Sequence, residues 1–229
     1  MKRTTLLLTL ALAAFITISQ TGAEAREQTF TDRFAGAVDT GESGTYMFDK
    51  NHSVISFKVK HNGLIELPGF FRDFTGKVEY NAADVSKSTV EFWAKATSID
   101  TGVAGRDNHL RSKDFFEIEK FPDITFKSTK VERKGKVWVV TGDFTMKGVT
   151  KPMTFPFYLT GFLPGKDKSP ARMGITASTS LNRRDFGVNY GGNLPSGVAV
   201  ISDNINVVLE IEATIKKDLP AAIKAATAL

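Results

Sequence analysis

Residues 106–126, RDNHLRSKDFFEIEKFPDITF, hold the densest group of side chains able to do chemistry. Arg106, Asp107, His109, Arg111, Ser112 and Asp114 fall within nine residues. A carboxylate–imidazole pair from Asp107 and His109, with Ser112 as nucleophile, would make a hydrolytic constellation. Two features argue against it. On a short helix, residues two apart point about 200° from one another, so Asp107 and His109 do not converge. No Gly-x-Ser-x-Gly elbow or other nucleophile setting is present. The alternative is structural: Asp107 caps a short helix, Leu110 packs inward, and Phe115, Phe116 and Phe121-Pro122 fasten the segment over one barrel end.

Metal chemistry has thin support. The three histidines, His52, His61 and His109, sit on separate elements without His-x-x-x-His or His-Glu-x-x-His spacing. The chain has no cysteine, which removes disulfides, thiolate metal sites, Fe–S clusters and a cysteine nucleophile. The glycines that follow Asn182-Arg183-Arg184-Asp185-Phe186-Gly187 precede a strand rather than a helix, so they make no phosphate cradle. Arg183 lies two residues past Leu181, on the apolar parity of its strand. It is either the ion-pair partner of a barrel carboxylate or a polar clamp on a ligand head group. His61 ends another inward row and is the second candidate for head-group contact.

The elements that position these residues are strands. Ile205, Val207, Leu209, Ile211, Ala213 and Ile215 alternate with mainly polar residues over 204–216, as a strand with one apolar and one wet face requires. The same period recurs in Ile55, Phe57, Val59 and His61, and in Val90, Phe92, Ala94 and Ala96. It recurs again in Trp138, Val140, Phe144 and Met146, in Met153, Phe155, Phe157 and Leu159, and in Met173, Ile175, Ala177, Thr179 and Leu181. Phe70, Phe74, Val78 and Tyr80 are assigned to one face by the same rule. Turn signals at Lys134-Gly135, Lys147-Gly148 and residues 164–170 separate the runs. The predicted fold is all-β: an eight-stranded antiparallel barrel with one short helix between strands. Closure is the simplest way for long strands to avoid exposed edges.

The inward face is rich in phenylalanine, of which the chain has 18 against 4 Tyr and 2 Trp. That face is either a solid core or an apolar lumen. In the second case the small residues Ala94, Ala96, Gly142, Ala177 and Thr179 leave room among the large ones, and an eight-stranded barrel is wide enough for one ligand.

Residues 1–25 have the form of a cleaved secretory leader. Lys2 and Arg3 precede an apolar stretch over residues 6–18, and Ala23-Glu24-Ala25 supplies the small-residue cleavage pattern. The apolar stretch is short of the ~20 residues a membrane span needs. Residues 26–44 are a polar lead-in, 45–216 the barrel domain and 217–229 a tail. The formal charge of +5 comes from basic residues scattered singly along strands, which fits solvated strand faces better than a nucleic-acid stripe.

The stretches DKNHSVISFKVKH (49–61), GFFRDFTGKVEY (69–80), SIDTG (98–102), RDNHLRSKDFFEIEKFPDITFKS (106–128), GDFTMKGVTKP (142–152) and LNRRDFG (181–187) resemble the YceI-like family of exported bacterial lipid-binding proteins. The resemblance implies a lipocalin-like barrel that carries or stores a long isoprenoid chain, in some members with a quinone-type head group. It supplies no catalytic residues.

The expectation is therefore a periplasmic, non-catalytic binding protein for an isoprenoid, an isoprenoid quinone or a similar amphiphile. The tail is assigned to Phe57, Phe74, Phe92, Phe126, Phe144, Phe155 and Phe157, with His61 and Arg183 near the head group. No catalytic residue, metal or cofactor other than that ligand is expected. The expected partner is a lipid-like small molecule, without nucleic acid or stable membrane insertion, and a homodimer is left open. The competing readings are a lipid-modifying enzyme using the Asp107/His109 segment and an envelope stress or structural protein with a solid barrel.

Overall fold

Alternating residues put one face of each strand against the lumen, and the strands close on one another to bury it. The computed structural model describes residues 40–166 and 169–216. The expected leader, most of the lead-in and the tail lie outside them. The strands are β1 (Gly44–Phe48), β2 (Val54–His61), β3 (Ile65–Phe71), β4 (Phe74–Tyr80), β5 (Thr89–Lys95), β6 (Ile99–Asp100), β7 (Asp123–Lys134), β8 (Val137–Met146), β9 (Val149–Leu163), β10 (Arg172–Asn182) and β11 (Asn204–Ile215). One α-helix, α1 (Ala104–Arg111), lies between β6 and β7.

These strands form eight staves. β1 and β2 both pair with the same edge of β11, so they are one broken stave. β3 pairs with β2 while β4 pairs with β1, which makes β3 and β4 the second. β5 pairs with β4 and β6 with β3, giving the third. β7 to β11 are continuous, every pairing is antiparallel, and the β1–β11 pairing closes the ring. The chain belongs to the up-and-down barrel architecture that the sequence pattern predicts.

The breaks have local causes. Between β1 and β2, Asp49 accepts a hydrogen bond from the Asn51 amide at 2.9 Å and turns the chain. The buried Ser53 hydroxyl then donates to the Glu212 carbonyl at 3.1 Å and accepts from the Glu212 amide at 3.0 Å, standing in for the missing ladder pair. At Arg72-Asp73 the second stave bends and changes parity. Phe71, paired with Ile55, faces the lumen, whereas Phe70 pairs with outward Ser56 and lies under the Arg72 guanidinium at 4.2 Å. The assignment of Phe70 to the face of Phe74 is therefore corrected: a strict period of two does not survive the break.

One end of the barrel is solid. Tyr46, Tyr80 and Phe162 are nearly inaccessible, and their ring centroids lie 4.9 to 6.4 Å apart. The Tyr46 hydroxyl donates to the Glu42 carbonyl at 2.9 Å, which satisfies its one donor. The other end lies where the β2–β3 and β8–β9 hairpins turn, and α1 and the segment after it cross that end.

Candidate functional site

The inward rows enclose an apolar cavity of about 270 Å³. Its wall includes Phe57, Phe71, Phe92, Phe126, Phe144 and Phe155. A second cavity of about 80 Å³ lies deeper, toward the tyrosine end, with Phe157 in its wall. The two share Phe92, Phe126, Phe155 and Leu209. Phe92 stacks on Phe126 with centroids 5.7 Å apart, and Phe126 tilts against Phe155 at 5.3 Å. These rings partition the lumen.

Of the seven phenylalanines assigned to the lumen, six line one or both cavities. Phe74 is buried in the core but lines neither. The expectation that Gly142 leaves room for ligand is also corrected. A side chain at Gly142 would press into the Phe126 ring and the Lys127 carbonyl, so the space over this glycine is already filled by Phe126. Ala94 and Thr179 do line the larger cavity, and Ala177 the smaller.

Polar groups gather at the open end. Helix α1 begins after Val103, which makes no side-chain capping bond, so Asp107 is not the N-cap. The buried Asp107 carboxylate instead accepts from the backbone amide of Thr101 at 3.0 Å and from the Thr101 hydroxyl. It ties the incoming loop to the helix. Arg106 donates from Nε to the Thr101 hydroxyl and from an Nη to the Thr101 carbonyl, each at 2.7 Å, and still has N–H groups to spare. Arg106, His109 and Leu110 all line the cavity. Their i, i+3, i+4 spacing puts them on one helix face. That spacing is the signal by which Arg106 could have been found from the sequence as a head-group candidate.

The Asp107/His109 pair does not form. His109 Nε2 lies 3.0 Å from an Asp114 oxygen, and its ring packs edge-on against Phe115 and Tyr190. The Ser112 hydroxyl donates to the His109 carbonyl at 2.8 Å. The aromatic half of the segment anchors it: Phe115 against Tyr190, Phe116 against Phe71 and Phe121 beside Gly148.

Arg183 borders the cavity, as its parity predicts, but it does not offer a free hand to a ligand. It is 3% exposed. Its guanidinium donates to the carbonyls of Val188 and Tyr190 (2.7 Å each), Ser202 (3.1 Å) and Ile201 (3.3 Å) and to the Asp203 carboxylate (3.1 Å). Five bonds exhaust its five donors. The head-group role is thus corrected to a structural one: Arg183 holds the 188–203 loop over the barrel end. Burial, then the neighbouring Arg184 charge, lowers its pKa from the ordinary value, and Asp203 opposes the shift. His61 does lie at the cavity rim, bridged to Ile201 and paired with Ile65.

Among the described residues, one cluster holds metal-type donors within reach of one another: Asp49, His52 and Glu212. It lies outside the lumen lining, and its groups are engaged, Asp49 with His52 at 2.8 Å and Glu212 with Arg172 at 2.9 Å.

A model of the YceI-like domain matches residues 46–213, which run from within β1 to within β11. The chain belongs to the YceI-like family. A UPF0312 protein of Photorhabdus laumondii is 36% identical over 169 residues, covering 72% of this chain and 83% of the relative. Among solved structures, BcnA of Burkholderia cenocepacia superposes with a TM-score of 0.63 at 21% identity, covering 73% of this chain and 99% of BcnA. A polyisoprenoid binding domain from Saccharophagus degradans superposes at 0.56 and 13% identity, covering 76% and 100%. Both structures share the fold. Among the described residues, no helix of this YceI-like protein is long and apolar enough to cross a membrane.

Proposed function

We propose that this YceI-like protein is an exported, non-catalytic binding protein that holds a long apolar ligand in its barrel, for transport or storage. The ligand class is an isoprenoid, an isoprenoid quinone or a similar amphiphile. One observation carries the reading: an apolar cavity bordered by phenylalanines, sealed at the tyrosine end, with its polar groups collected at the other. An amphiphile with one polar end and one long tail has that shape. The tail lies against Phe57, Phe126, Phe144 and Phe155 and reaches Phe157 when the partition opens. The head group meets the spare N–H groups of Arg106, with His109 and His61 beside it. The name of the Saccharophagus domain supports this ligand class, and the leader-like residues 1–25 support export.

Each phenylalanine contact covered by a tail contributes on the order of 1 kcal/mol, so several together suffice for stable retention. Native mass spectrometry and organic extraction of protein purified from its own periplasm test the reading. Recovery of a prenyl lipid, or saturable binding of an added polyprenol, is the expected result. An empty protein that binds no polyprenol contradicts it.

A further inference from the structure

We propose that the open end of the barrel docks on a bilayer surface containing anionic lipid, with the β2–β3 hairpin as the inserting element. The inference rests on the reading of the lumen as a lipid site and names the surface with which that site exchanges.

The hairpin projects beyond the cavity. Asn62 and Gly63 both have positive φ, 51° and 70°, and turn the chain tightly. Leu64, just past the turn, is 81% exposed, and Ile65 is 56% exposed. Ile65 pairs with His61 and shares the lumen parity of Leu67, Gly69 and Phe71. Leu67 and Phe71 line the cavity, whereas Ile65 stands outside it. An apolar track therefore runs from the lumen to the hairpin tip. Along Ile65–Gly69, β3 has no ladder partner on its far side among the described residues, because β6 pairs only with Phe70 and Phe71. Pro68 sits on this open edge, where a missing N–H costs little.

The rest of the rim matches. Val198 lies against the turn, 2.8 Å from where a side chain at Gly63 would begin, and is 40% exposed. Tyr190 and Val103 are exposed on the helix side of the mouth. Five of the ten large exposed hydrophobic residues among the described residues thus surround one opening; the others are spread over β1, β2, β5 and β9. A concentration of this kind marks an interaction surface.

Charge selects the bilayer as occupant. On β2, Lys58 and Lys60 point away from the lumen and make no ion pair among the described residues. The hairpin carries one carboxylate, Glu66, across from Lys60. Exposed aliphatic side chains flanked by unpaired lysines are the components of interfacial binding to anionic lipid. A tail leaving along the β3 edge then passes from lumen to bilayer without crossing water.

Flotation with vesicles of phosphatidylcholine alone, and of equal parts phosphatidylcholine and phosphatidylglycerol, tests the proposal. Every variant is prepared identically, so any contribution of residues 1–25 cancels. The unaltered protein floats with the mixed vesicles. Leu64→Ser/Ile65→Ser lowers the bound fraction about tenfold. Lys58→Gln/Lys60→Gln removes the preference for the anionic mixture and its salt dependence. Leu163→Ser, at the sealed end, floats as the unaltered protein. Equal flotation of the Leu64/Ile65 variant, or no flotation of the unaltered protein, overturns the proposal. Polyprenol binding is measured in solution on the same samples. Intact polyprenol binding without flotation removes the docking surface alone; flotation in the expected pattern without polyprenol binding leaves the docking surface and removes the ligand reading.

Discussion

The two ends of the barrel are closed in different ways. At the sealed end, Tyr46, Tyr80 and Phe162 fill the bore, Tyr46 edge-on to both other rings and Tyr80 tilted on Phe162, with the Tyr46 hydroxyl bond to Glu42. At the open end aromatic anchors, Phe115 on Tyr190 and Phe116 on Phe71, are joined by polar tethers: Asp107 to Thr101, and Arg183 to four carbonyls and Asp203. Dispersion and burial make a plug that has no alternative arrangement at similar cost. Hydrogen bonds to loops make a cover that stays in place while half-buried groups such as His61, Arg106 and His109 remain reachable. The difference points to the open end as the one through which the proposed ligand would pass.

The largest effect is expected from Phe162→Ala. Loss of a ring that is 2% exposed should cost about 3–5 kcal/mol of unfolding free energy. Chemical denaturation measures it. A loss below about 1 kcal/mol would show that the sealed end is not a packed plug. Arg183→Met comes next, at about 3 kcal/mol, because four carbonyls and Asp203 lose a buried partner. Its signature is local: hydrogen exchange should accelerate across 188–203 and not at β7–β8. Uniform acceleration would contradict a tether that holds one loop.

Arg106→Met should leave stability within about 1 kcal/mol, since it removes only the bonds to Thr101. Binding of a polyprenyl phosphate should weaken about tenfold, while the parent hydrocarbon is held as before. Equal weakening for both would place the head group elsewhere.

Titration tests the sealed end and the β1–β2 turn. Burial first, then the Glu42 and Tyr80 charges, push the Tyr46 pKa up to about 12. The folded state keeps the neutral phenol, so its contribution is complete below pH 10 and is lost as pH rises from 10 to about 12. Tyr46→Phe should lose less stability over that window than the unaltered protein. The smallest effect belongs to the exposed His52–Asp49 pair. Its hydrogen bond raises the His52 pKa above 6.5 and lowers that of Asp49 below 3.8. The His52 contribution is complete below pH 6.5 and fades as pH rises through the raised value. The Asp49 contribution is present above pH 3.8 and fades as pH falls through the lowered one. Nuclear magnetic resonance titration of His52 before and after Asp49→Asn checks both directions.

The staves were legible because each keeps a period of two over long runs, as in Ile205 to Ile211. Their breaks were not. The turn at Asp49 and the stand-in role of Ser53 depend on Glu212, far along the chain, and the parity change at Arg72-Asp73 moved Phe71 rather than Phe70 inward. The Asn62-Gly63 pair is a hairpin signal in its own right, yet alternation alone passes over it. Parity correctly put Arg183 on the lumen side. It could not reveal that the 188–203 loop would bring carbonyls to every donor. Asp107 has a capping residue's chemistry, but the helix starts early enough that the side chain reaches back to Thr101 instead. Arg106 was missed because its role follows from the helix face it shares with His109 and Leu110.

The central claim is that a ligand tail occupies the lumen with its head at the open end. A crystal structure of the protein with a bound polyprenol tests it most directly. The tail should run between Phe57 and Phe155 and displace the Phe126 ring, with the hydroxyl near Arg106. An empty lumen, or a polyprenol on the outer wall, would contradict the account.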